Sequence, residues 1–259
     1  MSEKTLKILS VGNSFSEDTM GHLAGIARSA GIENFLFANL YIGGCSIRKH
    51  YNLMVNDIAE YEYQVEKGDG WVKTQQFTSR EKIKEEDWDI ISIQHGTGDK
   101  SRYTSPESYA DLPALIKEIR SLCKKDVKIV FNMAWVSDSD GHHHEIISYG
   151  GDQALMYHNL TQLTKNLIAP MEEVDCVSPV GTAVQNARGC LDKKLTRDTF
   201  HVTKDLGRYI AGLTFMGAVC GIDIDKIDWC PEGVSAEEME IAKKVSVAAL
   251  KNPWEVSKL

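Results

Sequence analysis

The sequence predicts an α/β class built on a doubly wound parallel sheet, and three observations carry that expectation. Apolar runs of strand length alternate with amphipathic helical stretches, a glycine-containing turn closes the first run, and 259 residues can bury one large core. Neither disulfides nor a structural metal is needed at this length.

The first run, Leu6 to Val11, reads as a buried strand ended by Gly12-Asn13-Ser14. Met20, Leu23, Ala24 and Ala27 then keep helical spacing up to Gly31, and Ser14 or Ser16, ahead of Glu17 and Asp18, reads as the cap, with Ser14 left free to react if Ser16 takes that role. Strand signals recur at Phe35 to Ile42, Trp88 to Ile93, Val127 to Met133 and Val174 to Val180. Between the last three, one apolar stripe runs through Leu112, Leu115, Ile116, Ile119 and Leu122, after Ser105-Pro106. Another runs through Met156, Leu160, Leu163 and Leu167, and a late helix carries Leu206, Tyr209, Ile210 and Leu213. Residues 61–78 break the alternation with two alternating runs around Lys67-Gly68-Asp69-Gly70. That pattern predicts an inserted β-hairpin, which either covers the functional face or protects an edge. No linker rich in Pro, Gly or Ser divides the chain, so residues 1–259 are expected to form one domain.

Composition narrows the function. With 42% hydrophobic and 25% charged residues, six prolines and 20 glycines, the chain is neither fibrous nor disordered. Its 29 basic and 37 acidic side chains give a net charge of −8, and no basic patch appears, so neither nucleic acid nor membrane is expected as a partner. The same balance favours a neutral substrate over an anionic one. Charges of both signs at the N-terminus and the lack of a long apolar core there predict a cytoplasmic location, although a chain relieved of a secretory signal reads the same. Six scattered cysteines read as reduced thiols, with Cys45 in its Gly-Gly-Cys-Ser turn the one to examine for reactivity. No Gly-x-Gly-x-x-Gly or Walker loop follows the first strand, which removes the nucleotide classes. His142-His143-His144 with Asp138, Asp140 and Glu145 reads as a polar turn at the functional face in preference to a metal site, so no metal or cofactor is expected. Trp88 reads as core, while Trp135 and Trp229 fit core or sugar-stacking roles. Nothing in these features fixes an oligomeric state.

Two motifs can carry chemistry. Ser14 stands where the first strand hands over to the first helix, the place where open α/β sheets hold ligands. Asp198-Thr199-Phe200-His201 places a carboxylate three residues before an imidazole on a loop, and a serine hydroxyl needs such an oriented base to attack a carbonyl.

Together, Gly12-Asn13-Ser14-Phe15 and Asp198-Thr199-Phe200-His201 resemble the first and last sequence blocks of the SGNH, or GDSL-like, hydrolases. The resemblance implies a flavodoxin-like three-layer sandwich with a five-stranded parallel sheet and helices on both faces. It also implies Ser14 as nucleophile, His201 as base, Asp198 as its orienting carboxylate, and ester hydrolysis through an acyl-enzyme without a cofactor. The expected substrate is a short-chain acyl ester, acetyl above all, carried on a carbohydrate. Gly44 in Gly43-Gly44-Cys45-Ser46 matches the block-two oxyanion donor. The block-three Asn of that family is absent, with Gly98 in its place. Losing such a donor costs about 2.7–4 kcal/mol of transition-state stabilisation, and Gln94 is the expected substitute. A looser likeness in Trp88 to Gln94, Pro179 to Ala183 and Asn186-Ala187-Arg188 points to an uncharacterised bacterial branch. There Asn186 and Arg188 are candidate substrate contacts, although the stretch reads first as a strand end and a short helix start. The missing Asn also supports a second reading, a non-catalytic carbohydrate-binding protein that keeps the fold.

Overall fold

The computed structural model describes residues 5–96 and 103–259. Strands β1 (Leu6–Gly12), β2 (Phe35–Tyr41), β3 (Tyr61–Glu66), β4 (Val72–Phe77), β5 (Ile90–Gln94), β6 (Lys128–Asn132) and β7 (Cys176–Ser178) form one sheet in the order β4-β3-β2-β1-β5-β6-β7. The helices are α1 (Ser14–Met20), α2 (Leu23–Ser29), α3 (Ile47–Val55), α4 (Ser79–Glu85), α5 (Leu112–Leu122), α6 (His144–Ser148), α7 (Gln153–Leu163), α8 (Val180–Cys190), α9 (Leu206–Cys220) and α10 (Ala236–Lys251).

The expected five-stranded parallel sheet is corrected to a mixed sheet of seven. Five strands are parallel, and the hairpin β3–β4 extends them, with β3 antiparallel to β2 from Phe37↔Glu66 to Tyr41↔Glu62. Without the hairpin, β2 would present a row of unpaired backbone groups at an edge. The chain leaves β1 toward β2 on one side and later returns to β5 on the other. The C-terminal end of β1 is therefore a topological switch point, where a crevice opens.

Helices α1, α2, α8, α9 and α10 pack on one face, against Ile8, Phe37, Ile90 and Val130. Helices α3, α4, α5 and α7 pack on the other, against Leu9, Val11, Ile91, Ile93 and Ile129. Burial on both faces explains why the strands read as continuous apolar runs. Near the strand ends the first face turns polar, with Ser10, Asn39, Gln94 and Asn132 all buried.

Four local features depart from the expectation. The first predicted helix is two, broken after Gly21 where His22 leaves helical conformation at φ −120° and ψ 12°, while the bare Cα of Gly21 lets the Arg208 side chain approach. Asn13, not Ser16, caps α1, its side chain accepting from the Phe15 N–H. The last strand is shorter than Val174 to Val180, because Gly181 already packs in α8 against the Ala134 carbonyl, where a Cβ would lie 2.2 Å away. Helix α10 was not anticipated, although Ser235 and Glu238 form a capping box legible in the sequence. Trp88 and Trp135 are both core, and Trp229 is partly buried with its ring over Gly25. The six cysteines form no disulfide, and Cys45 is buried. Among the described residues no helix is long and apolar enough to cross a membrane.

Candidate active site

The end of β1 is built for close approach. A Cβ on Gly12 would fall 2.1 Å from Gln94 Nε2 and 2.2 Å from Ser16 Oγ, so only glycine admits both side chains. Asn13 follows, buried, and its amide nitrogen donates to the carbonyls of Cys45 (3.1 Å) and His95 (3.0 Å). One side chain thus ties together the loops leaving β1, β2 and β5. Gly96 tightens the same junction, since a Cβ there would sit 1.8 Å from the Cys45 carbonyl oxygen. Ser14, half-buried, then opens α1 in this crevice.

The opposite wall is the loop between Thr196 and Val202, which are joined by an isolated β-bridge. Asp198 Oδ1 accepts from the backbone N–H groups of Phe200 (3.1 Å) and His201 (2.6 Å). This wrap requires Thr199 in the left-handed region at φ 66°, a strain of about 1–3 kcal/mol for a non-glycine residue. The surroundings hold it there. The Asp138 N–H donates to the Thr199 carbonyl (2.8 Å) and Trp135 Nε1 to the Phe200 carbonyl (2.7 Å). The Phe200 ring stacks on His143 with centroids 4.4 Å apart and meets Phe15 edge-on at 5.0 Å.

The loop so fixed aims His201. Its Nδ1 lies 2.7 Å from Asp198 Oδ2 and its Nε2 lies 2.8 Å from Ser14 Oγ. Because the carboxylate only accepts, Nδ1 carries the proton and Nε2 is left to accept from the serine hydroxyl. Partial burial alone would raise the Asp198 carboxyl, but the hydrogen bonds from His201 and Phe200 outweigh it and hold the group below the usual carboxylate range. The neighbouring His143 is pushed down to about 4, chiefly by burial and further by His144 and His201, so it stays neutral at neutral pH. The geometry brings a hydroxyl, an imidazole and a carboxylate into one hydrogen-bonded line, an arrangement able to generate a serine nucleophile.

The other candidates divide. Gly44 sits in the turn closed by Cys45 N–H to the Ile42 carbonyl (3.1 Å), with φ 64°, and its own N–H has no backbone partner among the described residues. Gln94 is not at the surface of the crevice. Its Oε1 accepts from Ser10 Oγ (3.4 Å), and its Nε2 is buried against Gly12 without a partner among the described residues, closed to solvent. Asn186 also departs from expectation. It is buried in α8, donating to the Val245 carbonyl and accepting from the Ser257 N–H, and so holds α10 and the C-terminal segment. Arg188 lies behind the site, donating to the Val136 carbonyl (2.9 Å) and Asp138 Oδ1 (2.8 Å), and through Asp138 it supports the loop at Thr199. Gly98 lies outside the described residues. In the histidine loop, His143 caps α6, while Asp138 and Asp140 pair with Arg188 and Lys194. Among the described residues no group of three His, Cys, Asp or Glu is placed to hold a metal.

Sequence reasoning missed Asn13 as the junction residue and Asp18 altogether. Asp18 is fully buried four residues after Ser14 and receives Arg197 Nη1 (3.0 Å) and Arg208 Nε (2.8 Å), tying α1 to the His201 loop and to α9. Its partners stand 179 and 190 residues away in the chain, so no local pattern marks them. Asn13 did carry a signal, an Asx residue between a strand end and a helix start.

The fold is similar to that of GDSL-type hydrolases. A member of the lipolytic G-D-S-L family from Veillonella parvula superposes with a TM-score of 0.53 at 14% identity, over 84% of this chain and 99% of that one. A catalytic mutant of an acetylxylan esterase from Geobacillus stearothermophilus gives a TM-score of 0.52 at 14% identity, over 82% and 93%. Within that fold the chain belongs to the family described as a domain of unknown function, DUF4886, whose model matches residues 7–249. A DUF4886 protein from Bacteroides uniformis matches with a TM-score of 0.90 at 28% identity, over 99% of this chain and 98% of that one. Comparison with curated proteins finds no match.

Proposed function

We propose that the protein is a serine esterase that removes a short acyl group, acetyl in the first instance, from a carbohydrate. The observation that carries this reading is the line of contacts from Ser14 Oγ through His201 to Asp198, at 2.8 and 2.7 Å. In the proposed cycle His201 Nε2 takes the hydroxyl proton as Ser14 Oγ attacks the ester carbon. The carbonyl oxygen becomes an oxyanion, which the N–H groups of Ser14 and Gly44 receive. Collapse expels the alcohol, to which His201 returns the proton. A water then gives a proton to His201 and attacks the acyl-serine, and the carboxylic acid leaves as Ser14 regains its proton. Asp198 stays ionised throughout, fixing the ring and balancing the imidazolium. The likeness in fold to an acetylxylan esterase supports an acetyl ester on a sugar.

Turnover of p-nitrophenyl acetate tests the reading. Wild type should release nitrophenol, and Ser14→Ala and His201→Ala should each lower kcat on the order of 10⁴-fold or more, with little further loss in the double variant. Equal turnover by Ser14→Ala would remove the esterase assignment and leave the binding-protein reading.

A further inference from the structure

We propose that the cavity whose lining continues from Ser14 along α1 and from Asp198 to Arg197 binds a carboxylate, so that the substrate of the esterase proposed above is an acyl ester of an acidic sugar. The cavity encloses about 500 Å³ and is lined by Glu17, Trp71, Lys73, Arg197, Lys204 and Arg208, among others. Small-molecule sites span about 300–1,000 Å³. Two of its lining residues belong to the segments that form the walls of the crevice. Glu17 lies one turn after Ser14 on α1, and Arg197 immediately precedes Asp198.

Its charge is opposite to that of the whole chain. Lys73 pairs with Glu17 and Glu62, and Arg197 and Arg208 share the single buried carboxylate of Asp18. The Lys204 ammonium has no carboxylate partner among the described residues; its backbone carbonyl is held by His22 Nε2 at 2.7 Å. Four cations thus meet three carboxylates, leaving one positive charge at the wall of a net-acidic protein. Arg197 reaches Asp18 through Nη1, and its Nη2 has no acceptor among the described residues. A guanidinium edge beside a lone ammonium suits a carboxylate. A surplus of one charge matches a monoanion and leaves one charge of a phosphate dianion uncompensated.

The hairpin supplies the remaining wall. Trp71, half-buried, precedes β4, and Lys73 lies within it, so an aromatic side chain and an ammonium from the hairpin line the cavity together with the arginines. That pairing of a flat apolar face with a cationic edge fits a sugar ring bearing a carboxylate. The expectation of a neutral substrate followed the total charge, which averages over the surface and does not report this cavity.

Calorimetric titration with glucuronate, glucose and inorganic phosphate tests the inference on the intact protein, without turnover. Glucuronate should bind at least tenfold more tightly than glucose and than phosphate. Lys204→Glu should remove that preference, and Lys204→Gln, which removes the charge and keeps a polar end, should reduce it. Equal binding of glucose and glucuronate, tighter binding of phosphate, or an unchanged preference in both variants would overturn it. Labelling of Ser14 by a fluorophosphonate in the same preparation separates the two readings. Labelling without glucuronate preference keeps the esterase and discards the cavity; preference without labelling does the reverse.

Discussion

At the scale of single residues, the site depends on side chains that cannot be exchanged for near neighbours. Ser14 and His201 meet because Thr199 accepts a left-handed conformation and Asp198 collects two backbone N–H groups as well as the ring. Gln94 gives a sharp test of role at this scale. A donor to an oxyanion contributes about 10²–10³ in kcat, whereas Gln94 Nε2 is closed to solvent beneath Gly12. Gln94→Ala should therefore lower the urea midpoint while changing kcat for p-nitrophenyl acetate less than tenfold. A loss of 100-fold or more in kcat with unchanged stability would return Gln94 to the oxyanion. The sequence placed this residue at the right strand end but could not show its direction, because strand alternation turns it toward α1.

At the scale of elements, the site is a junction of four loops, and Asn13 and Gly96 set their spacing. Gly96→Ala should force the β5 exit away from the turn at Cys45, since the added carbon would overlap the Cys45 carbonyl. A displacement near 1 Å costs on the order of 10²-fold in rate. Steady-state kinetics of this variant should show that loss mainly in kcat, and wild-type kcat would contradict the junction. Much at this scale was legible in the sequence. The alternation of apolar runs and amphipathic stripes located the five parallel strands and the hairpin, and the two terminal motifs hold the Ser14, His201 and Asp198 side chains that the fold brings within hydrogen-bond distance. The rest was illegible for physical reasons. Strand pairing between β2 and β3 is a tertiary choice, the shortness of β7 follows from close packing at Gly181, and the Asp18 cluster is assembled from three distant segments. Asn186 and Arg188 were misplaced because the face of a helix that meets solvent depends on what packs on it, here α10 and the Asp138 loop.

At the scale of the whole molecule, burial of neutral histidines links folding to pH. His50 and His95 are buried, and burial, with Lys49 adding to it at His50, brings both down to about 3. Both rings are therefore neutral in the folded protein, while in the unfolded chain they take up protons near pH 6.5. Between about pH 6.5 and 3 the unfolded state binds more protons, so stability falls as pH falls. Each ring contributes a slope of up to about 1.4 kcal/mol per pH unit, and neither contributes above that window. Urea midpoints should drop from pH 7.5 to pH 5, and His95→Phe should shallow the drop. Equal midpoints at both pH values would contradict the burial of neutral rings. The central position of β1 adds a second consequence. The strand that delivers Ser14 is paired on both sides, so the crevice is expected to persist as long as the sheet does.

The central claim is that Ser14 is a nucleophile activated by His201. Incubation with a fluorophosphonate, followed by peptide mass analysis, measures it directly. One adduct per chain is expected, located on Ser14, absent from Ser14→Ala and strongly slowed in His201→Ala. An unmodified wild-type protein, or an adduct on another residue, would contradict it.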